Sequence, residues 1–148
     1  MSDDLERRLR HLEDLAEIHQ VFIDYGRALD DGDTARYASL FAATGRVDLG
    51  PIGRAEGPAA IEAMMATALQ GLVGNSFHLV TSPQVTIDGD SATATVMWTV
   101  IRRDDRNEPR VTMIGRHHDR LVREGGRWLI AERRGTIDVP SRYRSPDL

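Results

Sequence analysis

Very few side-chain types in this sequence can move a proton, because cysteine and lysine are both absent from its 148 residues. All 19 basic side chains are arginine, which excludes thiolate nucleophiles, disulfides, cysteine-bound metals, Schiff bases and a lysine-dependent phosphate loop. The remaining candidates are the carboxylates, the tyrosines and five histidines, at positions 11, 19, 78, 117 and 118. No metalloprotease, serine-hydrolase or calcium-loop motif accompanies them. The residue types therefore predict acid–base chemistry with no cofactor and no bound metal.

Asp30 and His78 form the first candidate pair. Asp30 falls in the last turn of a predicted helix, where a carboxylate faces the negative end of the helix dipole and has no capping role. His78 lies in a predicted strand that is apolar on both faces, so we expect its ring to be buried or to face a cavity. A carboxylate bound to one imidazole nitrogen leaves the other nitrogen as a base near neutral pH. The alternatives are a solvated helix end for Asp30 and a hydrogen-bonded core histidine for His78.

A tyrosine, a pair of histidines and a pair of arginines supply further candidates. Tyr25 belongs to the apolar stripe of the first helix, where its hydroxyl reaches either a polar edge of the core or a cavity. His117 and His118 are neighbours in a strand and point to opposite faces, which is unsuited to binding one metal. Arg133 and Arg134 diverge in the same way, so one of them is expected to face inwards, where a buried arginine needs an anion or acceptor.

Three helices followed by long strands must position these side chains. Apolar residues spaced three, four or seven apart predict the first helix, which ends at Gly32. The second helix is predicted to include Phe41 and to end before Gly45, and Pro58 opens the third. The first and third helices are predicted over residues 4–31 and 58–68, and the strands over 46–49, 76–81, 84–87, 91–103, 110–124 and 127–139.

This order of elements predicts an α+β fold. We expect a curved antiparallel or mixed sheet packed on three N-terminal helices, forming a cone-shaped barrel that encloses a pocket. The length fits a single domain over residues 1–148, with a core over about 5–139 and a tail over 140–148.

The composition predicts a cytoplasmic protein that acts on a small molecule. The chain is 41% hydrophobic and 28% charged, and its arginines are scattered over a net charge of −4, which disfavours nucleic acid as a partner. No stretch approaches the ~20 apolar residues of a membrane span, and the acidic first residues precede no apolar signal segment. We therefore expect neither a nucleic-acid nor a membrane partner.

Two motifs resemble a known family. The first begins at Tyr25 and reads YGRALDDGD, with Tyr37 and Leu40-Phe41 following; the second begins at Gly115 and reads GRHHDRLVREGGRWLIAERR. They resemble SnoaL-like domains of the nuclear transport factor two-like superfamily, in particular the scytalone dehydratase and γ-hexachlorocyclohexane dehydrochlorinase branch. The resemblance covers residues from about 5 to 138. It implies an α+β cone with a deep pocket, and self-association into a dimer or trimer.

The resemblance also implies roles for particular residues. In that branch an aspartate at the end of the first helix pairs with a histidine on the strand after the third helix. In the dehydrochlorinase a lysine lies five residues before that aspartate, at the place of Tyr25 here, and dehydratases of the fold also use a pocket tyrosine. An arginine lies on the last strand, and a pocket-lining position lies on the strand before it. The second histidine of scytalone dehydratase has no counterpart here, and tyrosine in place of the lysine argues against dehydrochlorination. The positions that match are Asp30, His78, Tyr25, Arg133 and His117.

The predicted pocket wall is largely apolar, which favours a small cyclic or aromatic substrate. Two of its members, Trp98 and Gly115, follow from the resemblance. The predicted wall residues are Trp98, Phe77, Met64, Val100, Met113 and Gly115.

Together these features predict a cofactor-independent lyase that performs a dehydratase-type elimination. His78, oriented by Asp30, would remove a C–H proton; Tyr25 would polarise a carbonyl or assist the leaving hydroxyl. Arg133 or His117 would stabilise the negative charge that develops. The alternatives are a ketosteroid-isomerase-like enzyme that shuttles a proton, a polyketide cyclase, and a non-catalytic subunit similar to the small subunit of ring-hydroxylating dioxygenases.

Overall fold

The computed structural model describes residues 2–140, so only Pro140 of the predicted tail lies within it. None of the helices in this range is both long and apolar enough to cross a membrane. The helices are α1 (Asp3–Asp31), α2 (Thr34–Ser39) and α3 (Pro58–Ala68).

The long helix α1 has well-defined ends. The Ser2 side chain accepts the backbone N–H of Leu5 at its start, and the acidic residues of the first turn suit the positive end of the helix dipole. Gly32 ends the helix with a φ of 70°, in the left-handed region that glycine adopts without steric cost. The buried face of α1 includes Phe22, Tyr25 and Leu29, so this helix carries one candidate residue into the core.

Six strands form one mixed sheet. Across the sheet the order is β2-β1-β6-β5-β4-β3, with β1 parallel to β6 and the other neighbouring pairs antiparallel. The predicted α+β class, with three helices packed on a mixed sheet, is confirmed. The sheet is open rather than closed into a barrel, because β2 and β3 remain as its edges. The strands are β1 (Phe41–Asp48), β2 (Arg54–Glu56), β3 (Ser76–Asp88), β4 (Ser91–Arg103), β5 (Pro109–Glu124) and β6 (Arg127–Val139).

Three predicted elements differ from the structure. Phe41 begins β1, whereas the sequence predicts it within the second helix. The prediction fails here because the spacing of Tyr37, Leu40 and Phe41 also suits a helical stripe. The short strand β2 lies in the segment predicted as a connection. β3 is one strand whose register shifts between Thr81 and Gln84, where the sequence predicts two.

A close approach between α1 and β3 positions Asp30 next to His78. A Cβ atom at Gly26 would lie 3.1 Å from Cγ2 of Val80, so the glycine lets the helix pack directly against the strand. One helical turn further on, Asp30 thereby comes to lie beside His78, which is two residues before Val80 on β3.

Candidate active site

Asp30 holds His78 through two hydrogen bonds to one carboxylate oxygen. Asp30 Oδ1 lies 2.8 Å from the ring Nδ1 of His78 and accepts the backbone N–H of the same residue at 2.9 Å. Both side chains are largely buried, with 25% of Asp30 and 13% of His78 exposed. An ionised carboxylate only accepts, so we assign the ring proton to Nδ1, which leaves Nε2 with a free lone pair. His78 itself lines the central cavity described below.

Tyr25 and His117 form a second hydrogen-bonded pair in the core. The Tyr25 hydroxyl lies 2.9 Å from His117 Nε2, and both residues are buried. Burial, with Arg133 nearby, holds the pKa of His117 well below its ordinary value, and burial raises the pKa of Tyr25. The ring is therefore neutral and the phenol protonated near pH 7. Because His117 Nε2 is the acceptor that the structure provides for the Tyr25 O–H, we assign the imidazole proton to Nδ1.

These groups belong to one row of aromatic rings. The ring centroid of Tyr25 is 6.4 Å from that of His78 and 5.1 Å from that of His117, and Trp98 lies 5.8 Å beyond His117. The base candidate His78 and the indole of Trp98 thus belong to one set of neighbouring rings. A substrate bound against these rings meets both a lone pair and hydrogen-bond donors.

The row borders a cavity between the helices and the inner face of the sheet, which we call the central cavity. Its volume is about 100 Å³, and it is partly open to solvent. A partly open, mainly apolar cavity is the usual setting for a small organic ligand. Its lining is mainly apolar and comprises Tyr25, Leu29, Tyr37, Leu49, Ile52, Met65, Ala68, Leu69, Leu72, Ser76, His78, Trp98, Val100, Arg102, Met113, His117, Gly135 and Ile137.

Four buried donors on this lining have no hydrogen-bond partner among residues 2–140. They are the hydroxyl of Tyr37, the indole Nε1 of Trp98, Nδ1 of His117 and Nε of Arg102. Buried polar groups are normally paired, and an unpaired one costs about 1–3 kcal/mol. An acceptor on a bound ligand would satisfy them.

Arg133 lies behind the row of rings and does not line the cavity. Its side chain is completely buried, and its Nε and Nη2 donate to the two carboxylate oxygens of Asp119 at 2.9 and 2.6 Å. Its guanidinium carbon is 4.4 Å from the centre of the Tyr25 ring. In this arrangement the charge of Arg133 is paired with that of Asp119, and the Tyr25 ring lies against its guanidinium, so any effect of Arg133 on the developing charge would act through these neighbours rather than by contact.

Three of the six predicted wall residues line the cavity and three do not. Trp98, Val100 and Met113 do. Phe77 is 42% exposed on the outer face of the sheet, since neighbouring strand residues alternate and His78 takes the inner face. Met64 packs instead against Gly53. Gly115 lies beneath the Trp98 ring, where a Cβ atom would collide with the indole.

The sequence left two charged residues of this region unassigned. Asp119 follows His117 by two residues, so strand alternation alone predicts that it faces inwards with His117. Arg102 continues the inward series of Trp98 and Val100 in the same way. His118 points to the outer face, where its Nδ1 lies 3.4 Å from the Thr95 hydroxyl. Within residues 2–140, no three histidine, aspartate or glutamate side chains are grouped so as to hold a metal ion.

The sequence matches one family model. The model of the SnoaL-like domain matches residues 10–134, which is most of the chain. No curated protein matches the sequence.

Solved structures share the fold over most of its length. An NTF2-like protein with a cystatin-like fold from Novosphingobium aromaticivorans is 26% identical with a TM-score of 0.86, and the match covers 93% of this chain and 90% of that one. A protein named for scytalone dehydratase, from the same organism, is 20% identical with a TM-score of 0.76, covering 92% and 94% of the two chains. A hexachlorocyclohexane dehydrochlorinase, LinA type 2, is 16% identical with a TM-score of 0.78, covering 88% and 89%. At these identities the last two show a common fold alone.

Proposed function

The chain belongs to the SnoaL-like domain family, and from that membership and the geometry of its site we propose that it is a cofactor-independent lyase. The proposed reaction is a dehydratase-type elimination of water from a small cyclic β-hydroxy carbonyl compound. The observation that carries the proposal is that Asp30 Oδ1 accepts hydrogen bonds from the ring Nδ1–H and the backbone N–H of His78, at 2.8 and 2.9 Å. These two bonds fix the ring orientation and the tautomer in which His78 acts as a base towards the cavity.

The first step in the proposed mechanism is removal of a proton from the carbon next to the carbonyl. His78 Nε2 accepts the proton, and the C–H electron pair moves to the carbonyl oxygen to form an enolate. The unpaired N–H groups of Trp98 and His117 donate to that oxygen. Donors held in place before the reaction stabilise the charge without the cost of reorganising solvent.

Elimination completes the reaction. The enolate electrons form the carbon–carbon double bond, and the bond from the β-carbon to its hydroxyl breaks. The leaving oxygen takes the proton carried by His78, so that one water is released and the base is regenerated. Asp30 stabilises the transient imidazolium through its 2.8 Å contact.

One observation favours a second candidate, an isomerase. No aspartate or glutamate lines the described part of the cavity, and His78 is its principal base. The proton that His78 removes can therefore return to a different carbon of the enolate. The product would then keep the mass of the substrate, whereas elimination releases one water.

The experiment uses β-hydroxy cyclic ketones such as 3-hydroxy-1-tetralone, in buffered D2O, with mass spectrometry of substrate and product. We expect deuterium incorporation next to the carbonyl and loss of one water in the wild type. His78→Gln should lower turnover by about 10²–10⁴-fold, the usual contribution of a general base, and Asp30→Asn should lower it at least tenfold.

The controls are two neighbouring residues of the same types. Asp31→Asn changes an exposed carboxylate next to Asp30, and His118→Gln changes a histidine on the outer face; both should turn over as the wild type does. Unchanged turnover in folded His78→Gln would contradict the mechanism. Absence of exchange and turnover across the ketone series would contradict the enzymatic proposal and favour a non-catalytic binding subunit.

A further inference from the structure

Arg102 is the one permanently charged side chain on the described lining of the central cavity. No aspartate or glutamate belongs to that lining, and the remaining polar members are histidines, tyrosines, a serine and the indole of Trp98. A fixed positive charge beside apolar walls, on a lining without an acidic side chain, favours the binding of an anion.

Two acids at this end of the sheet, Asp104 and Glu108, are already engaged by another arginine. Arg110, which lies opposite Arg102 on β5, binds Asp104 at 2.7 Å and Glu108 at 2.6 Å. Arg103 donates to the Asn107 side chain at 2.7 Å. Arg102 forms no ion pair within residues 2–140, and its Nε is buried without an acceptor. The protein thus leaves this guanidinium available to a ligand.

The sheet register places Arg102 close to both a hydroxyl and the base candidate. Ser76, which is buried and lines the cavity, is the cross-strand partner of Arg102, and His78 is the partner of Val100 in the next inward row. Successive inward rows of an antiparallel sheet are about 7 Å apart. A group bound by Arg102 and Ser76 is therefore separated from His78 by the length of a substituted ring.

We propose that Arg102, with Ser76, binds a carboxylate of the substrate. The guanidinium fork matches the two oxygens of a carboxylate, and a single positive charge balances a single negative one. The substrate class is then a cyclic or aromatic carboxylic acid, whose ring lies against Trp98 and Val100 and whose reacting carbon faces His78. This assignment rests on the proposed function for the role of His78, whereas the binding of the carboxylate does not require catalysis.

The test measures binding rather than turnover. Isothermal titration calorimetry compares 2-naphthoate with 2-naphthamide, which has nearly the same shape and no charge. We expect the wild type to bind the naphthoate at least tenfold more tightly. Arg102→Gln should reduce this preference to about twofold or less, and Arg102→Lys, which keeps the charge, should retain part of it.

Two controls separate this proposal from a general charge effect and from the proposed function. Arg127→Gln removes one positive charge from an exposed position and should leave the preference unchanged. His118→Gln changes a histidine on the outer face and should also leave it unchanged. Neither naphthalene compound can undergo the elimination, so failure of the dehydratase proposal does not affect this measurement.

A salt titration of the wild type provides a test that needs no variant. Raising the ionic strength from about 0.05 to about 0.5 M should weaken binding of the naphthoate and leave that of the naphthamide unchanged. Equal affinity of the wild type for the two compounds would overturn the proposal. So would a preference that is lost in His78→Gln and kept in Arg102→Gln.

Discussion

The two strands β5 and β6 carry adjacent ion pairs on opposite faces, and we predict that breaking them has very different effects. Asp119 and Arg133 have fully buried side chains, and their two hydrogen bonds measure 2.9 and 2.6 Å. Arg120 and Glu132, the next cross-strand pair, are 54% and 60% exposed and 3.9 Å apart. Both pairs therefore join an arginine to a carboxylate across the same two strands at adjacent positions, and they differ in burial.

The predicted cost follows from what each substitution leaves behind. Asp119→Asn removes the negative charge and one acceptor while the Arg133 cation stays buried, which costs about 3–5 kcal/mol of unfolding free energy. At about 3 °C per kcal/mol for a chain of this size, Tm should fall by about 10–15 °C. Glu132→Gln leaves Arg120 in water, and its cost should stay below about 1 kcal/mol.

Urea unfolding at pH 7, followed by circular dichroism and tryptophan fluorescence, measures both costs. The double variant Asp119→Leu with Arg133→Met replaces the pair by apolar side chains of similar volume and should recover most of the loss, because no charge remains buried. The reasoning is refuted if Asp119→Asn and Glu132→Gln lie within about 1 kcal/mol of each other. A double variant less stable than Asp119→Asn would refute it as well.

Two further predictions concern His117. Burial and the nearby Arg133 keep its pKa well below the ordinary 6.5, so below that pH the unfolded state binds a proton that the folded state does not. The free energy of unfolding should therefore fall as the pH decreases below about 6.5, by up to about 1.4 kcal/mol per pH unit. In urea unfolding between about pH 5 and 7, His117→Phe should remove that slope and His118→Phe should keep it; identical slopes would contradict the assignment. A Cβ atom at Gly135 would lie 2.9 Å from Leu49 Cδ2 and 3.2 Å from His117 Nδ1. Gly135→Ala should therefore cost about 1–3 kcal/mol and shift the NMR signals of the His117 ring but not those of His118, and an unmoved His117 ring would show that the glycine is dispensable.

Much of the scaffold follows from periodicity, because long elements repeat their pattern many times. α1 repeats its apolar stripe over 29 residues, and β4 alternates over 13. β2 has three residues, too few to show an alternating pattern, so its pairing with β1 is determined by tertiary contacts rather than by its own sequence. Phe41 fits a helix and a strand equally well, and the parallel alignment of β1 with β6 decides in favour of the strand.

In the candidate site, the sequence predicts which face of a strand a side chain occupies but not which residue it pairs with. Alternation within one strand distinguishes His117 from His118 and predicts that one of Arg133 and Arg134 faces inwards. The partner of a buried side chain depends on the register between strands, and that register shifts between Arg120 and Leu121, so the pairing of Asp119 with Arg133 is not visible in the sequence. Phe77 is apolar, which favours a place on the cavity wall, but alternation along β3 puts it on the face opposite His78, where it is exposed.

The two hydrogen bonds that define the site also bear on how the chain folds. They join residues that are 48 and 92 positions apart, and in both cases one partner lies on α1. A helix forms from neighbouring residues, whereas contacts of such separation form only after the entropy of closing a long loop has been overcome. During synthesis the N-terminal residues are available first. A nascent chain can therefore display a helical α1 well before His117 has been added, and the site is assembled only when the last strands dock.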